Sequence, residues 1–221
     1  GMVMGAIAIS GLGNNLTRTL VEVSGGSVVL LLVLSAIASI ILGMGVPVTA
    51  TYIILVVLVG PALIEVGIAP LAAHLFVFYF GTLSFLTPPV CVSVFVAAAI
   101  AQSPPMATGL FSVRLAIIAY IIPFVFVFNP GLLLQGGPAL IVNALIASVL
   151  GAFILAASLS GFFLSRLSIV ERFAGIAVGL GLLMFATHAW LPLIVGVVAA
   201  AGLFLGHRLR TIRLSPSIRS P

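Results

Sequence analysis

Aspartate and lysine are missing from this 221-residue sequence, and glutamate occurs only as Glu22, Glu65 and Glu171. Charged residues make up 5% of the chain and hydrophobic ones 63%. A soluble globular domain carries roughly a quarter charged residues, so that class is excluded, and long apolar runs with few charges mark an all-α integral membrane chain. The formal charge of +5 comes from a handful of arginines rather than a basic surface, and no nucleic-acid partner is expected. The single cysteine, Cys91, excludes an internal disulfide and a cysteine metal cluster. Lying just past Pro88-Pro89, it reads as a small packing residue. His74 has no histidine, cysteine or aspartate at ligand spacing and reads as a packed or interfacial side chain. Nothing resembles a spaced catalytic set, so the chain is read as not an enzyme and without an organic cofactor.

What the chain does hold is a pair of interrupted apolar segments between Ser27 and Gln102. The first interruption is Gly43-Met44-Gly45-Val46-Pro47-Val48-Thr49-Ala50-Thr51. The second runs from Gly81 through Ser84 to Thr87-Pro88-Pro89-Val90. Glycine exposes backbone, and proline removes an N–H and clashes with the preceding turn. In hydrocarbon a freed carbonyl is costly unless something binds it. Two such breaks, each flanked by hydroxyls, mark places where the backbone opens to hold an ion or a solute, and discontinuous helices at membrane depth point to a secondary-transporter site.

Taken in order, residues 1–27 read as the end of a membrane helix followed by an interfacial segment in which Arg18 and Glu22, four apart, are placed to pair. Residues 28–67 read as a re-entrant hairpin, because each arm falls short of the roughly 20 residues needed to cross; Gly60-Pro61 is expected to kink its second arm, and Glu65 to reach the interface. Residues 68–102 form a broken transmembrane helix. Residues 103–160 hold two spans, Gly109 to Phe128 and Ala139 to Ser160, with loops at 103–108 and 129–138. Residues 161–206 form a basic loop around Arg166 and Arg172 and two short helices about a turn at His188 and Trp190, and 207–221 are a basic tail. The arginines place that loop and the tail in the cytoplasm and the 129–138 loop and the hairpin entrance outside.

The stretches Gly43 to Ile53, Pro70 to Gly81 and Leu86-Thr87-Pro88-Pro89-Val90 together resemble the large membrane subunit of TRAP transporters (tripartite ATP-independent periplasmic transporters), in the fused-permease form that works with TAXI-type binding proteins. The resemblance covers about residues 1 to 135 and continues more weakly beyond. It implies a multi-pass protein of the bacterial inner membrane: a sodium-coupled, elevator-type importer of a small organic solute, a carboxylate by expectation. In that family the transport domain has two inverted repeats, each a hairpin and a broken helix. This chain holds the second, followed by additional C-terminal helices. It is therefore expected to be a fragment, or the C-terminal part of a larger permease. The partners implied are that N-terminal remainder, a periplasmic solute-binding protein, membrane lipid and the small-molecule substrate. The family's other branches can carry an acid or amide at the hairpin tip, whereas Val46-Pro47 stands here.

The chemistry of the residues agrees with that reading. Neither break contains an acid, so a hard cation would take backbone carbonyls and hydroxyls. The expected binding set is Gly43, Gly45, Pro47, Thr49, Thr51, Gly81, Ser84, Thr87 and Pro88, with Thr49, Thr51 and Thr87 as the Na⁺ candidates. Unwound carbonyls favour a cation and helix N-termini an anionic substrate. The competing function is a membrane anchor or assembly subunit without its own transport cycle, which suits the unbroken segments after residue 139.

Overall fold

The computed structural model describes residues 2–163 and 165–185. Apart from a ladder of two-residue strands, Phe162–Phe163 and Ser165–Arg166, the described elements are helical. Packing divides the chain into one unit through Val127 and a second from Phe128 onward. The division falls inside the 103–160 segment that the sequence groups as a pair of spans.

The first unit opens with α1 (Met2–Ser10) and α2 (Leu12–Ser24), joined at Gly11 in the left-handed region (φ 64°). Helix α2 is amphipathic: Thr17, Leu20 and Ser24 are buried, while Asn14, Asn15, Arg18 and Glu22 are exposed. Arg18 and Glu22 are not joined by an ion pair, as suits long side chains in solvent, where pairing gains little. Gly25 and Gly26 then turn the chain, and Ser27 caps α3 (Val28–Gly43) by accepting from the Leu30 N–H at 3.4 Å. The tip Met44–Pro47 reverses direction with Gly45 at φ 75°, and α4 (Val48–Leu58) returns. The returning arm is interrupted at Val59, directly before Gly60-Pro61, and resumes as α5 (Gly60–Glu65). Glu65 is exposed.

Helix α6 (Pro70–Leu83) packs against α3, α4 and α5. Leu31, Leu32, Leu55, Val59, Leu63 and Phe76 have no exposed surface and form the centre of this unit. Phe76, Phe80 and Phe124 add an aromatic cluster with centroids 4.9–5.7 Å apart, a spacing at which edge-to-face rings attract. After a non-helical stretch comes α7 (Val92–Ile100), and the chain then bends by 115° into α8 (Pro105–Leu115) and continues as α9 (Ile117–Phe128).

Here the structure corrects the sequence reading. The 103–108 loop is already helical from Pro105, and the span expected from Gly109 to Phe128 is two helices parted at Ala116. Proline is preorganised for the first helical turn. Thr108 also ties back to Pro104 through its amide and its hydroxyl, at 3.0 and 2.9 Å.

In the second unit a 3₁₀ turn (Pro130–Leu133) precedes α10 (Pro138–Ser160), whose 23 residues are enough to cross a bilayer. Among the described residues no other single helix is both long and apolar enough to do so. The strand ladder follows, and then α11 (Ile169–Phe185) packs along α10. The basic loop expected over 165–172 is thus strand and helix. Ser168 and Glu171 form a reciprocal cap, with the Ser168 N–H and hydroxyl donating to Glu171 Oε2 at 2.7 and 2.8 Å and the Glu171 N–H donating to Ser168 Oγ at 3.3 Å. This is the Ser-x-x-Glu signature that starts a helix. Arg172 closes the end of α10, donating to the Ser158 and Leu159 carbonyls at 3.2 and 3.1 Å, where a cation also meets the negative end of the helix. The turn expected at His188 and Trp190 and the basic tail lie outside the described residues.

Candidate functional site: a hairpin tip against a broken helix

The two interruptions meet in space. A Cβ built on Gly43 would stand 2.9 Å from both the Gly81 carbonyl oxygen and Ser84 Oγ, and 3.1 Å from Thr51 Cγ2. A Cβ on Gly81 would fall 2.9 Å from Thr51 Cγ2 and 2.8 Å from Leu55 Cδ1. The end of α3, the start of α4 and the end of α6 are therefore packed at backbone distance, which is possible only because both positions are glycine. Gly45 lies over the other end of the second break, where an added Cβ would be 3.8 Å from Val90 Cγ1.

The hydroxyls around this junction share one arrangement. Thr51, 1% exposed, donates to the Val46 carbonyl at 3.1 Å. Ser84, 2% exposed, donates to the Gly81 carbonyl at 2.6 Å. Thr87 donates to the Leu83 carbonyl at 2.7 Å. A hydroxyl has one proton and two lone pairs, so each of these oxygens has spent its proton and offers only lone pairs. Thr49 is placed differently: it sits exposed in the first turn of α4, and its hydroxyl makes no hydrogen bond among the described residues. Pro47 precedes that turn as its cap residue.

The backbone of the second break is held by short turns, Phe85 N–H to Thr82 O, Leu86 N–H to Leu83 O and Thr87 N–H to Ser84 O, at 3.0–3.3 Å. The carbonyls of Met44 and Gly45 at the tip, and of Phe85, Pro88, Pro89 and Val90 in the break, accept no hydrogen bond among the described residues. The peptide joining Pro88 and Pro89 is cis. No charged residue occurs from Val28 to Ile64 or from Val66 to Val113. Among the described residues no cluster of histidine, cysteine and acids is placed to hold a metal.

Residues 1–140 match the family described as the tripartite ATP-independent periplasmic transporter, DctM component. The chain belongs to that family. No curated protein and no solved structure matches it. The DctM match takes in the whole first unit and ends in the first turn of α10, so α11 lies beyond it. DctM proteins are membrane permeases of secondary transporters rather than enzymes, and the apolar hairpin, broken helix and long α10 of this chain agree with that class.

Several residues around the two breaks were not singled out by their sequence. The Ser112 hydroxyl, with one proton to give, lies 2.8 Å from the Gly109 carbonyl and 3.1 Å from that of Leu86, and Tyr120 Oη is 2.7 Å from Thr87 Oγ1. A Cβ on Gly109 would be 3.0 Å from Pro88 Cγ and 3.2 Å from Cys91 Sγ. Ser39 and Ser35 are fully buried at spacings of four and eight residues from Gly43, and their hydroxyls find no partner among the described residues. That Ser35-Ser39-Gly43 period of four was the one available signal. His74 Nδ1 lies 3.0 Å from Tyr52 Oη, tying α6 to α4, so the packed reading of that histidine now has a partner.

Proposed function

We propose that this chain supplies the second of two inverted repeats in a sodium-coupled, binding-protein-dependent importer of the TRAP type, and that the meeting of its hairpin tip with its broken helix holds one Na⁺. The observation that carries this reading is the set of spent hydroxyls at the junction. Thr51, Ser84 and Thr87 each give their proton to a backbone carbonyl, so what remains toward a guest is oxygen lone pairs, which suit a cation and not an anion. The unpartnered carbonyls of Met44, Gly45, Pro88, Pro89 and Val90 add neutral oxygens of the same kind, and such carbonyls in broken helices coordinate coupling ions. A neutral ligand set suits an ion that must be released in every cycle.

The solute is a small organic molecule, a carboxylate by the family resemblance, delivered by a periplasmic binding protein of the TAXI type. Its anionic group would face the uncapped N-terminus of α4, at Val48 and Thr49, because helix N-termini favour negative charge. The elevator movement would carry hairpin and broken helix together. Helices α10 and α11 pack as their own unit and contain no comparable break among the described residues, which favours an anchoring role for them.

The test is uptake by the complete permease with its binding protein in liposomes. A Na⁺ gradient is expected to drive accumulation. Thr87→Val keeps the shape and removes the oxygen, and it should raise the Na⁺ concentration for half-maximal uptake by about tenfold, the cost of one lost charge-assisted contact. Uptake indifferent to Na⁺ would end the sodium reading.

A further inference from the structure

The second break is gripped from one side by α8 and α9. Residues between Ser84 and Cys91 have only short turns of their own. The attachments to α8 and α9 lie one after another along the break. Ser112 Oγ reaches the Leu86 carbonyl at 3.1 Å, Tyr120 Oη reaches Thr87 Oγ1 at 2.7 Å, and Gly109 seats Pro88 and Cys91 against α8. The interruption at Ala116 is part of this grip, since Ala119 and Tyr120 both direct their amides to the Ala116 carbonyl, at 2.8 and 3.4 Å. There α9 begins anew and carries Tyr120 to the break.

Of these contacts only the Tyr120 one falls on a hydroxyl of the candidate ion site. Thr87 donates its single proton to the Leu83 carbonyl, so Tyr120 is the donor in the 2.7 Å contact between the two hydroxyls. With its proton fixed by Leu83 and one lone pair fixed by Tyr120, Thr87 Oγ1 has a single lone pair left, and its direction is set by the other two bonds. We infer that Tyr120 is a positioning residue for cation binding: through Thr87 it fixes both the path of the second break and the direction of the oxygen that the break offers. The inference rests on the assignment of Thr87 as a cation ligand.

The experiment uses the complete permease with its binding protein in liposomes, with uptake measured against Na⁺ concentration. Tyr120→Phe removes one hydroxyl and keeps the ring. It should raise the Na⁺ concentration for half-maximal uptake about three- to tenfold, the effect of one hydrogen bond at a charged site, while the rate at saturating Na⁺ is retained. Tyr120→Phe added to Thr87→Val should shift the curve no further than Thr87→Val alone, because both act through one oxygen. Tyr79→Phe is the control for removing a phenol, since the Tyr79 ring makes an edge contact with Phe126 and its hydroxyl has no hydrogen bond among the described residues. A Thr87→Val curve that overlays the parent would overturn the ligand assignment beneath this inference. A shift in Thr87→Val with none in Tyr120→Phe, or shifts that multiply in the double variant, would overturn the role of Tyr120 alone.

Discussion

Gly43 and Gly81 meet so closely that a methyl group on the first would stand 2.9 Å from the carbonyl oxygen of the second. The other neighbours of that methyl, Ser84 Oγ at 2.9 Å and Thr51 Cγ2 at 3.1 Å, belong to short side chains that are themselves buried. None is the loose end of a long side chain that could swing aside. Gly43→Ala should therefore separate the hairpin tip from the broken helix and destabilise the permease by about 1–3 kcal/mol, the usual cost of overpacking. Gly60→Ala is the comparison, because nothing lies within 4 Å of a Cβ there, and it should leave the melting temperature in place. Thermal melting of the purified permease decides, and equal melting of the two variants would show that the junction relaxes freely.

The orientation of α10 follows from charge rather than packing. Its 23 residues, long enough to cross, separate Gly137 from Ile169, and by the positive-inside tendency the arginines after it are expected on the cytoplasmic side. In a Cys91→Ala background, a cysteine at Gly137 should react with an impermeant thiol reagent supplied outside intact cells, and one at Ile169 should be protected. Both positions are exposed, and Gly137 has no positive φ and no close neighbour. The reverse labelling pattern would invert the topology.

In the second unit α10 and α11 interlock through glycine. A Cβ on Gly151 would lie 3.0 Å from the Gly179 carbonyl oxygen, and a Cβ on Gly179 would lie 3.0 Å from that of Gly151. Close backbone approach of this kind is how helices associate where lipid is as apolar as leucine. Gly179→Val should open the pair and expose the strand-and-cap segment between the helices to protease. Gly181→Ala, with open space around it, should be digested like the parent. Digestion rates of the full chain in detergent separate these outcomes.

Parts of the architecture were legible before any coordinates. The two interruptions and the apolar run of α10 are set by glycine, proline and hydropathy along the chain; the non-helical tip, Met44–Pro47, is shorter than the expected Gly43–Thr51, and α6 continues past Gly81 to Leu83 before it stops. Helix α8 was missed because Pro104-Pro105 reads as a loop when viewed locally, although a proline in the first turn is a good helix start. The start of α11 reads as a basic loop because Arg166 and Arg172 flank it, although the spacing of Ser168 and Glu171 alone announces a cap.

The sequence by itself determined that this chain belongs in a membrane and that it breaks its helices at two places rich in backbone and hydroxyl oxygen. Those properties are local, since they depend on which residues follow one another and on what hydrocarbon does to an unpaired carbonyl. Which parts of the two breaks meet was decided only by the tertiary structure. Thr49, Thr51 and Thr87 look equivalent along the chain, yet Thr51 is buried beside Gly43, Thr49 faces outward, and Thr87 is bound to Tyr120, 33 residues away. The reason is that two glycines, 38 residues apart (81 − 43), permit one backbone contact, and that contact exists only once the hairpin has folded onto α6.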